Sequence, residues 1–269
     1  MVVDAATLEE DAALIADCAT AAGALALQHF RGDVRQWTKD DGSPVSDADL
    51  AVDAFINARL CAARPGYGMV SEEREKAAAA NGIARTFVVD PIDGTRGFLR
   101  GEKVWSVVVA IIENGLPVAA AIAEPVRGTL YTAVRGRGAL RNGKPIFVSD
   151  CGGFNDAEVA MPAPMFRDGD FAQAGAKRAP VLPSLALRLV RVAEGRFDGC
   201  VTKTGPHHWD LAAADLIVQE AGGRILNLSG GVPRYDSATT SHPPVVAAPR
   251  DFVDVLRARV AAAHATTSV

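Results

Sequence analysis

Apolar residues recur along this chain at two different spacings, and the change between them divides it. Leu8, Ala12, Ile15, Ala19, Ala22 and Leu25 follow at steps of three and four, which predicts one apolar helix face, and Thr7 and Glu10 have capping-box spacing at its start. Arg31-Gly32-Asp33 ends that helix, Val34 to Lys39 reads as a short extended piece, and Asp40 to Pro44 reads as a turn. A second helix is predicted from Ser46 to just before Arg64-Pro65-Gly66. Glu72 to Arg85 is charged and alanine-rich, and a mobile surface segment is expected there.

The β pattern then takes over. Thr86 to Val89 is a short strand-like run ending on Asp90. Trp105 to Glu113 and Leu116 to Ala123 are rich in Val and Ile and joined by Asn114-Gly115, a strong hairpin signal. With Thr129 to Val134 they predict an antiparallel meander. Beyond Asp150-Cys-Gly-Gly153 the elements alternate. Strands are expected at Glu158–Met161, Phe197–Thr202, Arg224–Leu228 and Val245–Ala248, and helices at Ser184–Glu194, Pro206–Ala221 and Asp251–Ala263. The reading is an α+β half over residues 1–150, carrying metal-binding loops, and an α/β half over 151–269.

Composition narrows the class of protein. With 269 residues, 49% hydrophobic and 22% charged, the chain can bury a sizeable core as one large domain or two closely packed halves. Its net charge of −4 argues against a nucleic-acid polymer as partner. No apolar run reaches the ~18 residues of a membrane helix, and the acidic start lacks the basic opening of a secretory signal, so no membrane partner is expected. Cys18, Cys61, Cys151 and Cys200 are scattered, which fits small buried residues in a reduced cytoplasm better than a zinc site or disulfides.

Four segments carry candidate chemistry. In Asp90-Pro91-Ile92-Asp93-Gly94-Thr95 two carboxylates sit three residues apart after a strand, Pro91 stiffens the turn, and Gly94 permits close backbone approach. Hard oxygen ligands beside free backbone N–H groups suit a magnesium phosphoryl-transfer site; an Asp-initiated turn with Asp93 as a cap is the plain structural alternative. Trp209-Asp210 opens the helix that closes on Glu220-Ala-Gly-Gly223, where an acid in the first turn can simply answer the helix dipole. Ser71-Glu72-Glu73, next to Arg74 and Lys76, reads alone as a solvated charged face. Lys39-x-x-x-Ser43-Pro-Val-Ser46-Asp-Ala-Asp49 places Ser46 and Asp49 at capping-box spacing.

Together, and in this order from Lys39 to Gly223, the four segments resemble the inositol monophosphatase-like family of magnesium-dependent phosphomonoesterases. Two departures are Ser46 where Thr is usual and Ser71 where Gly usually precedes the glutamates. The resemblance implies a layered α-β-α-β-α sandwich, commonly a homodimer, and hydrolysis by direct in-line attack of a metal-activated water. It implies that Glu72, Asp90 and the Ile92 carbonyl hold a first Mg2+ and that Asp90, Asp93 and Asp210 hold a second. Asp49 with Glu72 would serve a weaker third or its water, with Lys39 in its outer surroundings, and Asp210 would also contact the substrate. Thr95 would polarise the attacking water, and the N–H groups of Gly94 and Thr95 would hold phosphate oxygens.

An aspartyl-phosphate phosphatase is the enzymatic rival, but its Asp-x-Asp-x-Thr pattern has one residue between the carboxylates, and here Pro91 and Ile92 both intervene. A non-catalytic ligand-binding protein would be suggested by a missing metal carboxylate, and none is missing. For the substrate, inositol enzymes of the family commonly carry a Glu seven residues before the metal Asp of the Trp-Asp motif; here that position is Lys203. An ammonium cannot accept inositol hydroxyl hydrogen bonds but can pair with a second phosphate. With Arg96 and Arg100 it favours a 3′(2′),5′-bisphosphate nucleotide such as adenosine 3′,5′-bisphosphate, with inositol 1-phosphate or histidinol phosphate as the alternative. His207 and His208 are expected to pack or line the cleft.

Overall fold

The computed structural model describes residues 5–39, 42–74 and 85–267. Its N-terminal elements are α1 (Ala5–His29), β1 (Gln36–Thr38), β2 (Pro44–Ser46), α2 (Asp47–Ala63), β3 (Gly68–Ser71), β4 (Arg85–Asp93), α3 (Thr95–Leu99), β5 (Ser106–Glu113), β6 (Leu116–Glu124), β7 (Thr129–Val134), β8 (Ala139–Arg141) and β9 (Lys144–Pro145). Strands β3 to β9 form one sheet in sequence order. From β4 onward the pairs are antiparallel, as the meander predicts, and Asn114 (φ 53°) and Gly115 (φ 76°) make the hairpin's left-handed pair. The expected meander is incomplete in one respect: β3 joins its edge in parallel with β4. Residues 72–84 connect them, leaving room for the crossover that parallel strands need. Of the expected mobile segment, residues 75–84 lie outside the described residues, Glu72 to Arg74 form a turn, and Arg85 already belongs to β4.

Strand β4 also runs further than its apolar run. It continues through Asp90-Pro-Ile-Asp93, so the two carboxylates lie within the strand, not after it. Asp90 opposes Val108 and Asp93 opposes Ser106, so three steps on β4 match two on β5. That extra residue is a bulge. Residues three apart on a regular strand point to opposite faces; the bulge turns Asp93 back to the side of Asp90 and tolerates Pro91, which has no N–H to pair.

The C-terminal elements are β10 (Glu158–Ala160), α4 (Ala163–Asp168), β11 (Lys177–Arg178), α5 (Leu185–Ala193), β12 (Gly199–Val201), α6 (His208–Glu220), β13 (Gly223–Asn227), β14 (Val245–Pro249) and α7 (Arg250–Thr267). Their sheet has the order β11-β10-β12-β14-β13, parallel on one side of β12 and antiparallel on the other.

Packing stacks these parts into the expected α-β-α-β-α sandwich. Ile15 of α1 and Ile56 of α2 share a core with Val89, Val109 and Ile111 on one face of the large sheet. Val88, Val108 and Ala110 point the other way, into a core with Leu189 of α5, Leu216 of α6 and Val245 of β14. Phe252 and Leu256 of α7 cover the far face of the small sheet against Val201 and Val246. Adjacent residues of β4 and β5 thus feed two cores, which is why these strands read as unbroken apolar runs. The middle core draws on residues from both sides of position 150. All four cysteines are free; Cys18 and Cys200 are buried as expected, whereas Cys61 and Cys151 are half-buried.

Candidate active site

The bulge in β4 and the first turn of α6 meet between the sheets. One carboxylate oxygen from each of Asp90, Asp93 and Asp210 lies within 4.8 Å of the other two. Asp90 Oδ1 is buried and has no hydrogen-bond partner among the described residues. Burial, then the charges of Glu72, Asp93 and Asp210, raise the Asp90 carboxyl well above the ordinary carboxylate range. Burial and Asp93 push Asp210 up to about 8. A buried anionic oxygen without a donor, facing two more carboxylates, is costly unless a cation joins it. The all-oxygen donor set suits a hard divalent ion such as Mg2+.

Each of the other acids spends part of its hydrogen-bonding capacity on structure. Asp210 Oδ2 accepts from the His207 N–H at 2.6 Å, closing the capping box of α6. Asp49 Oδ2 accepts from the Ser46 N–H at 2.8 Å and from its hydroxyl, closing the box of α2. Its Oδ1 accepts from Thr95 Oγ1 at 3.2 Å, and the same hydroxyl lies 2.9 Å from the Ile92 carbonyl. Asp93 takes the start of α5: Leu185 N–H at 3.0 Å, Ala186 N–H at 2.8 Å and the Ser184 hydroxyl. The capping roles and the site roles of Asp49 and Asp210 are therefore compatible.

Gly94 sits between bulge and helix at φ 95°, where a Cβ would lie 3.0 Å from the Ser184 nitrogen; only glycine fits. Glu72 enters from the turn after β3, where Lys39 Nζ pairs with it at 3.2 Å and with Glu73 at 2.7 Å. Burial pushes Glu73 up to about 7.

A cleft of about 880 Å³ opens beside the trio, lined among others by Lys39, Glu72, Arg96, Trp209 and Asp210. The sequence-derived residues thus fall into two groups. Asp49, Glu72, Asp90, Ile92, Asp93, Gly94, Thr95 and Asp210 converge through shared contacts or adjacency. Lys203 is exposed after β12 and is not among the cleft-lining residues; neither is Arg100, which pairs with Glu102 at 2.6 Å. Of the three cations that suggested a second phosphate, Arg96 lines the cleft. His207 lines it too, its ring parallel to that of Trp209 at 4.7 Å and 3°. His208 is buried against His242, Nδ1 to Nε2 2.8 Å. Residues the sequence reading did not place near the site are Ser184, Trp37, Asp53 and Arg74. Ser184 carried a local signal as a helix-opening serine, and it does cap α5; Arg74 carried one only as a cation beside the two glutamates.

A layered α+β fold with three convergent carboxylates, two of them buried and the third, Asp210, lining a cleft, defines a candidate metal-assisted hydrolase. The family model described as "Inositol monophosphatase family" matches residues 7–265, and the chain belongs to that family. It is a phosphoric monoester hydrolase by that membership. An inositol-1-monophosphatase of Mesorhizobium japonicum is 35% identical over 75% of this chain and 78% of its own length. A histidinol-phosphatase of Mycobacterium tuberculosis is 33% identical over 74% and 79%. A Streptomyces griseus protein named as a glucose-1-phosphate thymidylyltransferase is 34% identical over 83% and 88%; its name describes a different reaction class from the family's. The crystal structure of the extragenic suppressor protein suhB from Bartonella henselae superposes with a TM-score of 0.81 at 28% identity, covering 93% of this chain and 96% of that one. Among the described residues no helix is long and apolar enough to cross a membrane.

Proposed function

We propose that the protein is a Mg2+-dependent phosphomonoesterase whose site is built on Asp90, Asp93 and Asp210. The observation that carries this reading is the buried Asp90 oxygen without a donor, set against two further carboxylates. Glu72, Asp90 and the Ile92 carbonyl would hold one Mg2+, Asp90, Asp93 and Asp210 a second, and Asp49 with Glu72 a weaker third. Bound there, Mg2+ supplies charge neutralisation and Lewis-acid activation for an in-line displacement at phosphorus. The chain's own groups orient the reactants. The Thr95 hydroxyl donates a hydrogen bond to Asp49 or the Ile92 carbonyl, so its oxygen is left to accept a hydrogen bond from the attacking water. The Gly94 and Thr95 N–H groups hold phosphate oxygens, and no side chain attacks phosphorus. The family resemblance carries a homodimer with it, and the scattered cysteines favour a reduced cytoplasm; sedimentation and cell fractionation check the two.

For the substrate, the cleft supports a phosphate ester whose alcohol part bears a flat ring. His207 and Trp209 line it as a parallel pair, and the half-exposed Trp37 lines it as well. Aromatic faces favour flat rings, whereas inositol offers hydroxyls that call for acceptors. Adenosine 3′,5′-bisphosphate therefore comes first and histidinol phosphate second, ahead of inositol 1-phosphate. Phosphate release with Mg2+ from these three and fructose 1,6-bisphosphate is the test; comparable rates on all four would defeat the flat-ring reading. Trp37→Ala should lower kcat/KM on the flat-ring substrates by about fivefold or more, since stacking contributes ~1–3 kcal/mol per base, and should affect inositol 1-phosphate less.

Thr95→Ala removes a group acting mainly in the transition state, so kcat should fall more than KM rises. Steady-state kinetics at saturating Mg2+ checks this. Trapping a phosphorylated Asp90 or Asp93 during turnover would overturn direct attack by water.

A further inference from the structure

The turn after β3 carries a second ion pair that the site described above leaves unused. Asp53, on α2, is 5% exposed. Its Oδ1 accepts from the Ser71 hydroxyl and its Oδ2 from Arg74 Nε at 2.7 Å. Ser71 stands where the family usually has glycine, and a glycine could not make the first of these contacts. The Arg74 N–H also returns to the Ser71 carbonyl at 3.3 Å, so Ser71 to Arg74 form a closed turn with Glu72 and Glu73 at its tip. Lys39 pairs with those two glutamates, and Asp53 pairs with Arg74. The two acids that precede Arg74 in sequence thus have a cation of their own.

Arg74 is not buried by this arrangement. Its side chain is 42% exposed and lines the same cleft as Glu72, Asp210 and Arg96. Contact with Asp53 uses Nε, and a guanidinium has four further N–H donors on its two amino groups. A guanidinium fixed through Nε by a buried carboxylate has already lost much of its side-chain freedom, so binding an anion there orders little more. Its planar fork matches two oxygens of a phosphate.

We propose that Arg74, held by Asp53, is the specificity contact for a second phosphate on the substrate, with Arg96 as the other cleft-lining guanidinium. This rests on the phosphomonoesterase reading and assigns to Arg74 the role that the sequence suggested for Lys203. The ester being hydrolysed lies over the carboxylate trio, and the second phosphate stays intact on Arg74. Histidinol phosphate and inositol 1-phosphate have no group for that contact.

The matched pair adenosine 3′,5′-bisphosphate and adenosine 3′-monophosphate isolates the contact, because the ring and the hydrolysed ester are shared. At fixed Mg2+ and ionic strength, the wild-type protein should favour the bisphosphate in kcat/KM by roughly tenfold to a hundredfold, the range of one charge-assisted contact. The lower end is expected, since Asp53 offsets part of the Arg74 charge. Arg74→Gln should bring that ratio close to one, Arg74→Lys should restore only part of it, and Lys203→Glu should change it less than twofold. If Arg74 merely pins the Glu72–Glu73 turn, Arg74→Gln would lower both nucleotides alike and weaken the Mg2+-induced shift in Tm, and the proposal would be overturned. A wild-type ratio near one overturns it too, as does a larger effect at Lys203 than at Arg74. Activity on histidinol phosphate with none on either nucleotide overturns the proposal and leaves the phosphatase standing. No Mg2+-dependent phosphate release from any substrate overturns the phosphatase reading itself.

Discussion

Asp90→Asn should lower kcat/KM by about three orders of magnitude or more, while leaving the protein without Mg2+ at least as stable as the wild type at pH 8. Both halves follow from the same oxygen. Asp90 Oδ1 is buried with no donor, and its carboxyl is pushed far up by burial and by Glu72, Asp93 and Asp210. Replacing the carboxylate with an amide of nearly the same shape spares the ion-free protein the cost of either burying that charge or protonating it, which is a gain. It also removes the ligand shared by both proposed Mg2+ ions. Metal-based charge stabilisation contributes several kcal/mol to such reactions, and each ~1.4 kcal/mol is tenfold in rate. The measurements are kcat/KM at saturating Mg2+ and thermal unfolding with EDTA and with Mg2+. Near wild-type turnover, or a Mg2+-induced Tm shift as large as in the wild type, would sink the metal-site reading.

The legible part of the site was what local sequence encodes. Asp90 to Thr95 are neighbours, so their spacing already announces a turn with two acids, and Asp49 and Asp210 carry their capping partners within three residues. What local sequence does not encode is how such pieces meet. Asp93 takes two N–H groups and a hydroxyl from the start of α5, across some ninety positions. Ser184 therefore reads only as a helix cap until the sandwich closes. The same holds for Asp53 with Ser71 and Arg74: two short-range oddities, a serine for a glycine and an arginine after two glutamates, gain meaning from a buried acid on another helix. The strand through Asp90-Pro-Ile-Asp93 was hidden because proline and two acids suppress strand character, and pairing with β5 through a bulge overrides that preference. Lys203 failed differently. Its distance along the chain from Asp210 fits a substrate contact, but the chain turns at Gly205 (φ 108°) and the side chain stays exposed outside the cleft lining.

The clustered carboxylates also give a stability test that needs no substrate. In the folded protein Asp210 is raised to about 8 and Asp49 to about 6, both chiefly by burial. In the unfolded chain they return to the ordinary value near 4. Between roughly pH 4 and 8 the folded state therefore binds more protons than the unfolded state, so the ion-free protein loses stability as pH rises through that window, with little further loss from these groups above it. In EDTA, Tm should be higher at pH 6 than at pH 8. Mg2+ stabilises the ionised carboxylates and so removes the penalty for deprotonation. Its effect on Tm should be small at pH 6 and largest at pH 8, amounting to several degrees, since 1 kcal/mol moves Tm by roughly 2–4 °C in a chain of this size. Mg2+ binding near pH 7 should also release protons, seen in calorimetry as a heat that varies with the buffer's ionisation enthalpy. A Tm in EDTA that climbs from pH 6 to pH 8, or a Mg2+ shift independent of pH, would mean that Asp90, Asp93 and Asp210 are not held together against their own repulsion, and the proposed cation site would lose its physical basis.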